Sequence, residues 1–322
     1  QEHVFAILED QKGFLWLGME SGLARYDGYS FKTFTHDPDD TTSIGSNIIR
    51  AIYQDDKGYI WIGTDGGGLS RYDPQSEQFT NFKHLPDNPN SLSGNRVYGI
   101  AADQTGAIWV ATLTNGLNRL VFEDSSCASN PCFTRFRFRP DDPGSLADDN
   151  ISTMIIDRKN RLWAGTISAG LDMLDLNQPI DEQATFQHFT AQPDESNRIS
   201  GNAIRSIYED QEGILWIGTE LNGLNRFEEA SQSFSSWQYQ PNTPQSLSHN
   251  HVSCILEDDK GNFWIGTNGG GINVFDRKKE TFLRRQHTAA DPYSLGGNLV
   301  NTIHQGRTGI IWVGMMNKGL NW

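Results

Sequence analysis

Nowhere in its 322 residues does the chain hold the ~18–20 consecutive apolar residues that a membrane-crossing helix takes, and Gln1 opens no leader peptide. Basic residues are scarce too. Lysines and arginines number 26 against 40 aspartates and glutamates, a formal charge of −14. That balance argues against a nucleic-acid groove and against a polybasic patch on an anionic membrane. Its plainest consequence is solubility. Cysteine is rare, with three in the chain. Cys127 and Cys132 lie in SSCASNPCF, among Asn, Pro and Ser, where an exposed loop closed by a local disulfide is expected. Two free thiols, or half a metal site, are the alternatives. No second Cys/His pair stands nearby to complete four ligands, so no metal is expected. Cys254 falls at a small-residue position and reads as a buried, inert thiol. There is no G-x-S-x-G nucleophile motif, and nothing calls for a cofactor.

Tryptophan and glycine are what the chain has. Trp16, Trp61, Trp109, Trp163, Trp216, Trp264 and Trp312 each sit in nearly the same phrase, FLWLGMESGL, YIWIGTDGGGL and so on to IIWVGMMNKGL, at intervals of 45, 48, 54, 53, 48 and 48 residues. A period of that length made of short strands is the signature of a propeller blade. The expected fold class is all-β: a seven-bladed β-propeller with four-stranded blades and an incomplete, three-stranded last blade. Blades are expected at about 1–36, 46–84, 94–139, 148–190, 201–239, 249–287 and 297–322, making residues 1–322 a single propeller. Residue 1 already lies inside a repeat, and Trp322 follows directly on GLN, where other repeats run on. A domain excised from a longer receptor is therefore expected.

Within a repeat, NIIRAIYQD, YIWIGT, GLSRYD and QFTNF read as four strands separated by the turns DDKG, DGGG and DPQSE. Ile49, Val97, Ile151, Ile204, Val252 and Val300 share a β-branched position, as a buried pleated surface favours. Ala51, Gly99, Thr153, Ser206, Cys254 and Thr302 share a small one, where blades converge. The tryptophans are expected to fill gaps between blades. Asp-x-x-Gly segments such as Asp10–Gly13 read as hairpin turns rather than calcium loops, because Asp bonds backbone two residues on. The connectors, PDDTTSIGSN and its kin, end on Asn47, Asn95, Asn202, Asn250 and Asn298, with Asp149 once. These side chains are expected to bond backbone in the same loop.

Positions that repeat serve the fold, and positions that vary at equivalent places are free for function. Two variable sets are expected on one face, around the mouth of a central channel. The inner-strand set includes Phe5, Arg50, Arg96, Tyr98, Arg205, His251 and Asn301; the turn set includes Glu20, Asp65 and Glu220. Arginine suits bidentate carboxylate or sulfate binding, and Tyr98 and Phe5 could stack on a sugar. The competing reading pairs Arg50, Arg96 and Arg205 with Glu20, Asp65 and Glu220, filling the channel.

The phrase xLWIGTxxGGLxRYD with NSLSxN connectors resembles the two-component regulator propeller repeat from end to end of the chain. Departures are the missing Phe-x-x-Phe strand of repeat 7, and Met19 and Met315 where other repeats have Thr. The resemblance implies a periplasmic sensor propeller of a bacterial membrane receptor, followed by further receptor domains that end in a histidine kinase or diguanylate cyclase. It implies a carbohydrate or organic-acid ligand and a second receptor subunit as partners, with no nucleic acid and no direct membrane contact by this fragment. A protein-interaction scaffold without a small ligand is the alternative. A propeller glycosidase or lyase would need two carboxylates across a cleft, and Glu20, Asp65 and Glu220 are its candidates.

Overall fold

The computed structural model describes residues 2–122, 132–192, 195 and 197–322. Blade 1 comprises β1 (Val4–Glu9), β2 (Leu15–Met19), β3 (Leu23–Tyr26) and β4 (Phe31–Phe34). Blade 2 comprises β5 (Ile49–Gln54), β6 (Ile60–Thr64), β7 (Leu69–Asp73) and β8 (Gln78–Phe82). Blade 3 holds β9 (Val97–Ala102), β10 (Ile108–Thr112), β11 (Leu117–Val121) and β12 (Cys132–Phe136). Blade 4 holds β13 (Ile151–Ile156), β14 (Arg161–Thr166), β15 (Leu171–Asp175) and β16 (Gln187–Phe189). Blade 5 holds β17 (Ile204–Glu209), β18 (Leu215–Thr219), β19 (Leu224–Glu228) and β20 (Ser233–Trp237). Blade 6 holds β21 (Val252–Glu257), β22 (Phe263–Thr267), β23 (Gly271–Asp276) and β24 (Thr281–Arg285). Blade 7 has three strands, β25 (Val300–Gln305), β26 (Ile311–Met315) and β27 (Gly319–Asn321). Each sheet runs in sequence order, and among the described residues there is no helix. The fold is the seven-bladed propeller expected from the tryptophan phrases, with the short last blade. Its contacts group it into two compact units, Leu8–His188, and Phe189–Trp322 with Gln1–Ile7.

Inside each unit the tryptophans pack where one blade meets the next. Trp61 of blade 2 is buried with Val97, Ile108 and Val110 of blade 3, and Trp216 of blade 5 with Val252, Phe263 and Ile265 of blade 6. Close approach explains the small position. A Cβ on Gly218 would stand 2.3 Å from Ser206 Oγ and 2.7 Å from the Val252 carbonyl.

The Asp-x-x-Gly segments are turns, as expected. Asp10 Oδ1 accepts from the backbone N–H of Lys12, and Gly13 donates to the Asp10 carbonyl. The aspartate has a second task that was not anticipated. Its other oxygen accepts from the indole six residues on: Trp16 Nε1–H to Asp10 (2.8 Å), Trp61 to Asp55 (2.8 Å), Trp109 to Asp103 (2.9 Å), Trp163 to Asp157 (2.8 Å), Trp216 to Asp210 (2.8 Å) and Trp264 to Asp258 (2.9 Å). One carboxylate thereby closes a hairpin and satisfies the polar atom of a ring buried between blades.

Burial pushes the Asp103 carboxyl upward, but bonds from Thr105 and Trp109 and the charge of Arg119 outweigh it and hold the group below 3.8. Asp258 is likewise lowered by Trp264 and Asn262 against burial. A depressed native pKa adds stability above the unfolded value and loses it as pH falls through the native one. The melting temperature is therefore expected to drop on titration from pH 5 towards about 3, and Asp103→Asn to flatten that drop. An unchanged acid limb in the variant would show that the carboxylate contributes nothing there.

Connectors are tied at fixed places. In all six, the closing Asn or Asp accepts from a backbone N–H eleven residues earlier: His36 to Asn47, His84 to Asn95, Phe138 to Asp149, Ala191 to Asn202, Tyr239 to Asn250 and His287 to Asn298, at 2.7 or 2.8 Å. A second tie comes from the third strand, where Asn118, Asn225 and Asn273 accept from the N–H of Ser93, Ser200 and Ser248. In blade 4 this position is Asp172. It accepts from Ala147, and His188 Nδ1 lies 2.6 Å away. In blades 2 to 6 the Thr of Gly-Thr (Ala-Thr in blade 3) donates to the carbonyl four residues on, as in Thr64 to Gly68 at 2.8 Å, a bond that Met19 and Met315 cannot make.

Cys132 is disulfide-bonded and Cys254 is a free, half-buried thiol pushed up to about 12 by desolvation. Cys127, the other half of the expected pair, lies outside the described residues.

Candidate ligand-binding clusters

The variable inner-strand residues owe their placement to a repeated irregularity. Ile49 faces Thr64 but Ala51 faces Gly63, so Arg50 is an extra residue in its strand. The same shift falls at Tyr98, Ser152, Arg205, Ser253 and Asn301. Such a bulge turns one side chain out of the pleat and re-aims it, a device common at functional sites. The turn after Gly-Thr is fastened beside it: the N–H of Asp65 donates to the Ile48 carbonyl and that of Glu220 to Ala203.

In the unit Leu8–His188, three of the expected residues converge on a fourth, Asp65. Arg96 Nε donates to Asp65 Oδ1 (2.6 Å), and Arg50 Nη2 (3.3 Å) and the Tyr98 hydroxyl (2.9 Å) donate to Oδ2. The guanidinium of Arg50 lies over the Tyr98 ring, 5.3 Å from its centroid, so that ring stacks on a cation. Burial raises the Asp65 carboxyl, but Arg96 and Tyr98 overcome this and keep it below the ordinary range. The hydrogen bond to Asp65 pushes Arg96 up. One carboxylate thus answers two arginines. Arg96 is the exposed partner, its side chain 46% accessible against 14% for Asp65. Glu20 is on the equivalent turn of blade 1.

In the other unit Arg205 donates to Glu220 Oε2 at 2.7 Å, both side chains a third exposed. Burial and the charge of Arg205 push the His251 imidazole down, with Glu220 opposing, so His251 is neutral at physiological pH. Asn301 Nδ2 donates to the Val4 carbonyl (3.1 Å), which makes it a tie between blade 7 and β1. Phe5 lies 5.8 Å from the His3 ring, and His3 Nε2 is 2.6 Å from Asn317 Oδ1.

The competing reading, in which the arginines pair with acids, describes the contacts of Arg50, Arg96 and Arg205. Every one of the three arginines has an acid beside it, because an unscreened guanidinium in so acidic a protein finds one. The expected open aromatic face of Tyr98 is occupied by Arg50. An ionised Asp65 bonded on both oxygens is poorly suited to deliver a proton, as a glycosidase acid must. Among the described residues no group of three or more His, Cys, Asp or Glu could hold a metal ion. Among the described residues no helix is long and apolar enough to cross a membrane.

The family described as two component regulator propeller matches residues 43–66, 91–114, 145–168, 198–220 and 246–269, each span running from a connector through the bulge to the turn beside it. Over 99% of its length the chain is similar to the extracellular domain of the "putative hybrid two component system BT3049" of B. thetaiotaomicron, with 27% identity and a TM-score of 0.79. It spans 39% of that solved chain. A stretch of 44 residues, 14% of this chain and 3% of the relative, is 43% identical to "Histidine kinase P4" of Formosa agariphila. The backbone is also similar to PorZ of Porphyromonas gingivalis (TM-score 0.71, 15% identity, 99% of this chain and 46% of that one), a likeness of fold alone.

Proposed function

Since the chain is built of two-component regulator propeller repeats, we propose that it is the ligand-sensing part of a bacterial membrane receptor, lying in the periplasm. The observation that carries this reading is the similarity, over nearly the whole chain, to an extracellular domain of a two-component system. The domain binds and does not catalyse. Its output is a histidine kinase or diguanylate cyclase elsewhere in the receptor, reached through downstream domains and a second subunit.

The ligand is a glycan fragment or organic acid bearing a single carboxylate. The Asp65 cluster supports this: Arg50 and Arg96 both reach Asp65, and Arg96, the more exposed of the two, presents its guanidinium to solvent. A ligand carboxylate engaging Arg96 would trade one charge-assisted bond for another while Arg50 and Tyr98 keep Asp65 in place.

The test is thermal shift against a panel of neutral oligosaccharides, uronic acids and simple organic acids. Ligand well above its dissociation constant raises the melting temperature by several degrees. Arg96→Ala is expected to weaken an acidic ligand roughly tenfold to a hundredfold, the worth of one charge-assisted bond. A shift of unchanged size in Arg50→Ala/Arg96→Ala would remove this cluster from the site. No shift with any acid would sink the ligand class.

A further inference from the structure

Blade 4 fastens its connector with titratable groups where other blades use fixed ones. In blades 2, 3, 5 and 6 the third-strand residue that ties the connector faces a polar residue of the fourth strand: Ser70 with Asn81, Asn118 with Arg135, Asn225 with Ser236 and Asn273 with Arg284. Three of these fourth-strand residues also donate to a connector carbonyl, Asn81 to Ser43 (2.8 Å), Arg135 to Ser91 (2.9 Å) and Arg284 to Ser246 (3.1 Å). None of the three donors gives up its hydrogen near neutral pH. In blade 4 the two posts are Asp172 and His188 of β16, and His188 Nε2 lies 2.9 Å from the Pro143 carbonyl oxygen.

Both nitrogens of the His188 ring face oxygens that accept. Nδ1 is 2.6 Å from Asp172 Oδ1, while Asp172 Oδ2 already takes the Ala147 N–H at 2.9 Å. A neutral imidazole has one N–H. The two contacts therefore stand together only while the pair holds one extra proton, as imidazolium beside carboxylate or as imidazole beside carboxylic acid. The surroundings keep that proton in place. The bond to Asp172 pushes His188 above 6.5, with burial opposing. Burial pushes Asp172 above 3.8, helped by the charge of Asp148 and opposed by His188. Other charges of the connector are paired, Arg137 with Asp149 and Arg139 with Asp142, and β14 sets the uncharged Ala164 opposite Asp172. The Asp172 side chain is wholly buried and that of His188 is 26% accessible, so solvent reaches the ring.

We infer that His188 and Asp172 form a proton-operated latch on the connector between blades 3 and 4, shut while the pair holds its extra proton and released when the pair loses it. Once the proton leaves, Nδ1–H stays on the ionised Asp172 and Nε2 turns a lone pair towards the Pro143 carbonyl, so that contact becomes repulsive. Both groups hold the proton more tightly in the folded chain. The latch's stabilisation is thus complete below about 6.5, histidine's unfolded value, and is lost as pH rises through the higher value of the folded pair. The connector runs on to Asp148, which accepts from the Asn150 N–H and the Ser168 hydroxyl. Release therefore reaches the start of β13 and the turn of blade 4. The latch does not depend on the Asp65 cluster, and its failure would leave that reading untouched.

The test is amide hydrogen exchange of residues 139–149, read by mass spectrometry and corrected for intrinsic rates, with the connector 85–95 as internal control. It is run at about pH 6 and about pH 9, on either side of the histidine range. Exchange in 139–149 is expected to quicken roughly tenfold at the higher pH, the worth of one hydrogen bond, while 85–95 keeps its rate. Asp172→Asn should abolish the response. Its amide oxygen can accept from Ala147 and its NH2 can donate to Nδ1, so a neutral ring keeps Nε2–H on Pro143 at both pH values. His188→Arg, which sets at this post the residue of blades 3 and 6, should also hold the connector at both. A wild-type connector with one rate throughout would overturn the proposal. So would an undiminished response in either variant, or a His188 ring that titrates below the ordinary histidine value by NMR.

Discussion

Asp210→Ala is expected to lower stability by about 3–5 kcal/mol, the cost of stranding a buried charge partner, and to bring the melting temperature down by roughly 10 °C. Asp210 is wholly buried. Its Oδ1 accepts from the N–H of Glu212 and Ile214, and its Oδ2 from the Trp216 indole and from Arg277 Nη1 at 2.9 Å. Arg277 also bonds Glu257, whose other oxygen accepts from the Gln211 N–H. Removing the carboxylate leaves the buried indole N–H without its acceptor and strips Arg277 of one of its two acids. Asp55 provides the comparison, since it holds Trp61 and its own turn in the same way and has no ion pair among the described residues. Asp55→Ala should cost about 1–3 kcal/mol, as for a lost neutral acceptor. Urea or thermal unfolding of the two variants measures the difference; equal losses would mean that the link through Arg277 between blades 5 and 6 adds nothing.

Gly67→Ala should be comparably damaging for a reason that involves no lost bond. A Cβ there would stand 2.3 Å from both the carbonyl carbon and the oxygen of Gly45, and 2.7 Å from Ser46 N. These are backbone atoms of a connector that is itself held, Gly45 N–H donating to Ser70 Oγ at 3.1 Å. No rotamer relieves the overlap, so the turn or the connector must move, at about 3 kcal/mol or more, the upper end of overpacking costs. Gly66→Ala tests the mechanism. Its φ is 104°, so alanine there is strained, but the space is open. A loss confined to about 1–2 kcal/mol, the cost of the strained backbone alone, is expected at Gly66. If Gly67→Ala were the milder of the two, close approach would not be what holds glycine at that position.

Much of this was legible beforehand because propeller repeats write their packing into spacing. Seven tryptophan phrases gave seven sheets, β-branched and small positions fell where inner strands bury and converge, and the connector asparagines bond where expected. The missing Phe-x-x-Phe gave the three-stranded blade. What escaped was the choice of partner. That Asp10 and its equivalents hold the indole six residues on was visible as a fixed Asp–Trp interval, yet the turn reading explained the aspartate so fully that its second oxygen was left unused. The ties from Asn118, Asn225 and Asn273 join segments 25 residues apart, and no local rule links an asparagine to a backbone amide at that distance. In the candidate site, pairing of the arginines with acids was one of two readings the sequence left open, and Asp65 and Glu220 are the acids they meet. Arg50 and Arg96 sit 15 and 31 residues from Asp65; a bulge in β5 brings Arg50 to it, and a backbone bridge brings Arg96.

The eleven-residue clasp of the connectors leaves a further mark on the chain. Because each of those links is held at both ends, it cannot lengthen; all six keep the same reach while the tryptophan intervals range from 45 to 54. The added length goes into the peripheral hairpins instead, between Val121 and Cys132 in blade 3 and between Asp175 and Gln187 in blade 4. Those two hairpins are the molecule's growth points, where new sequence is admitted without disturbing the joints, and where lineages built on this scaffold have room to diverge.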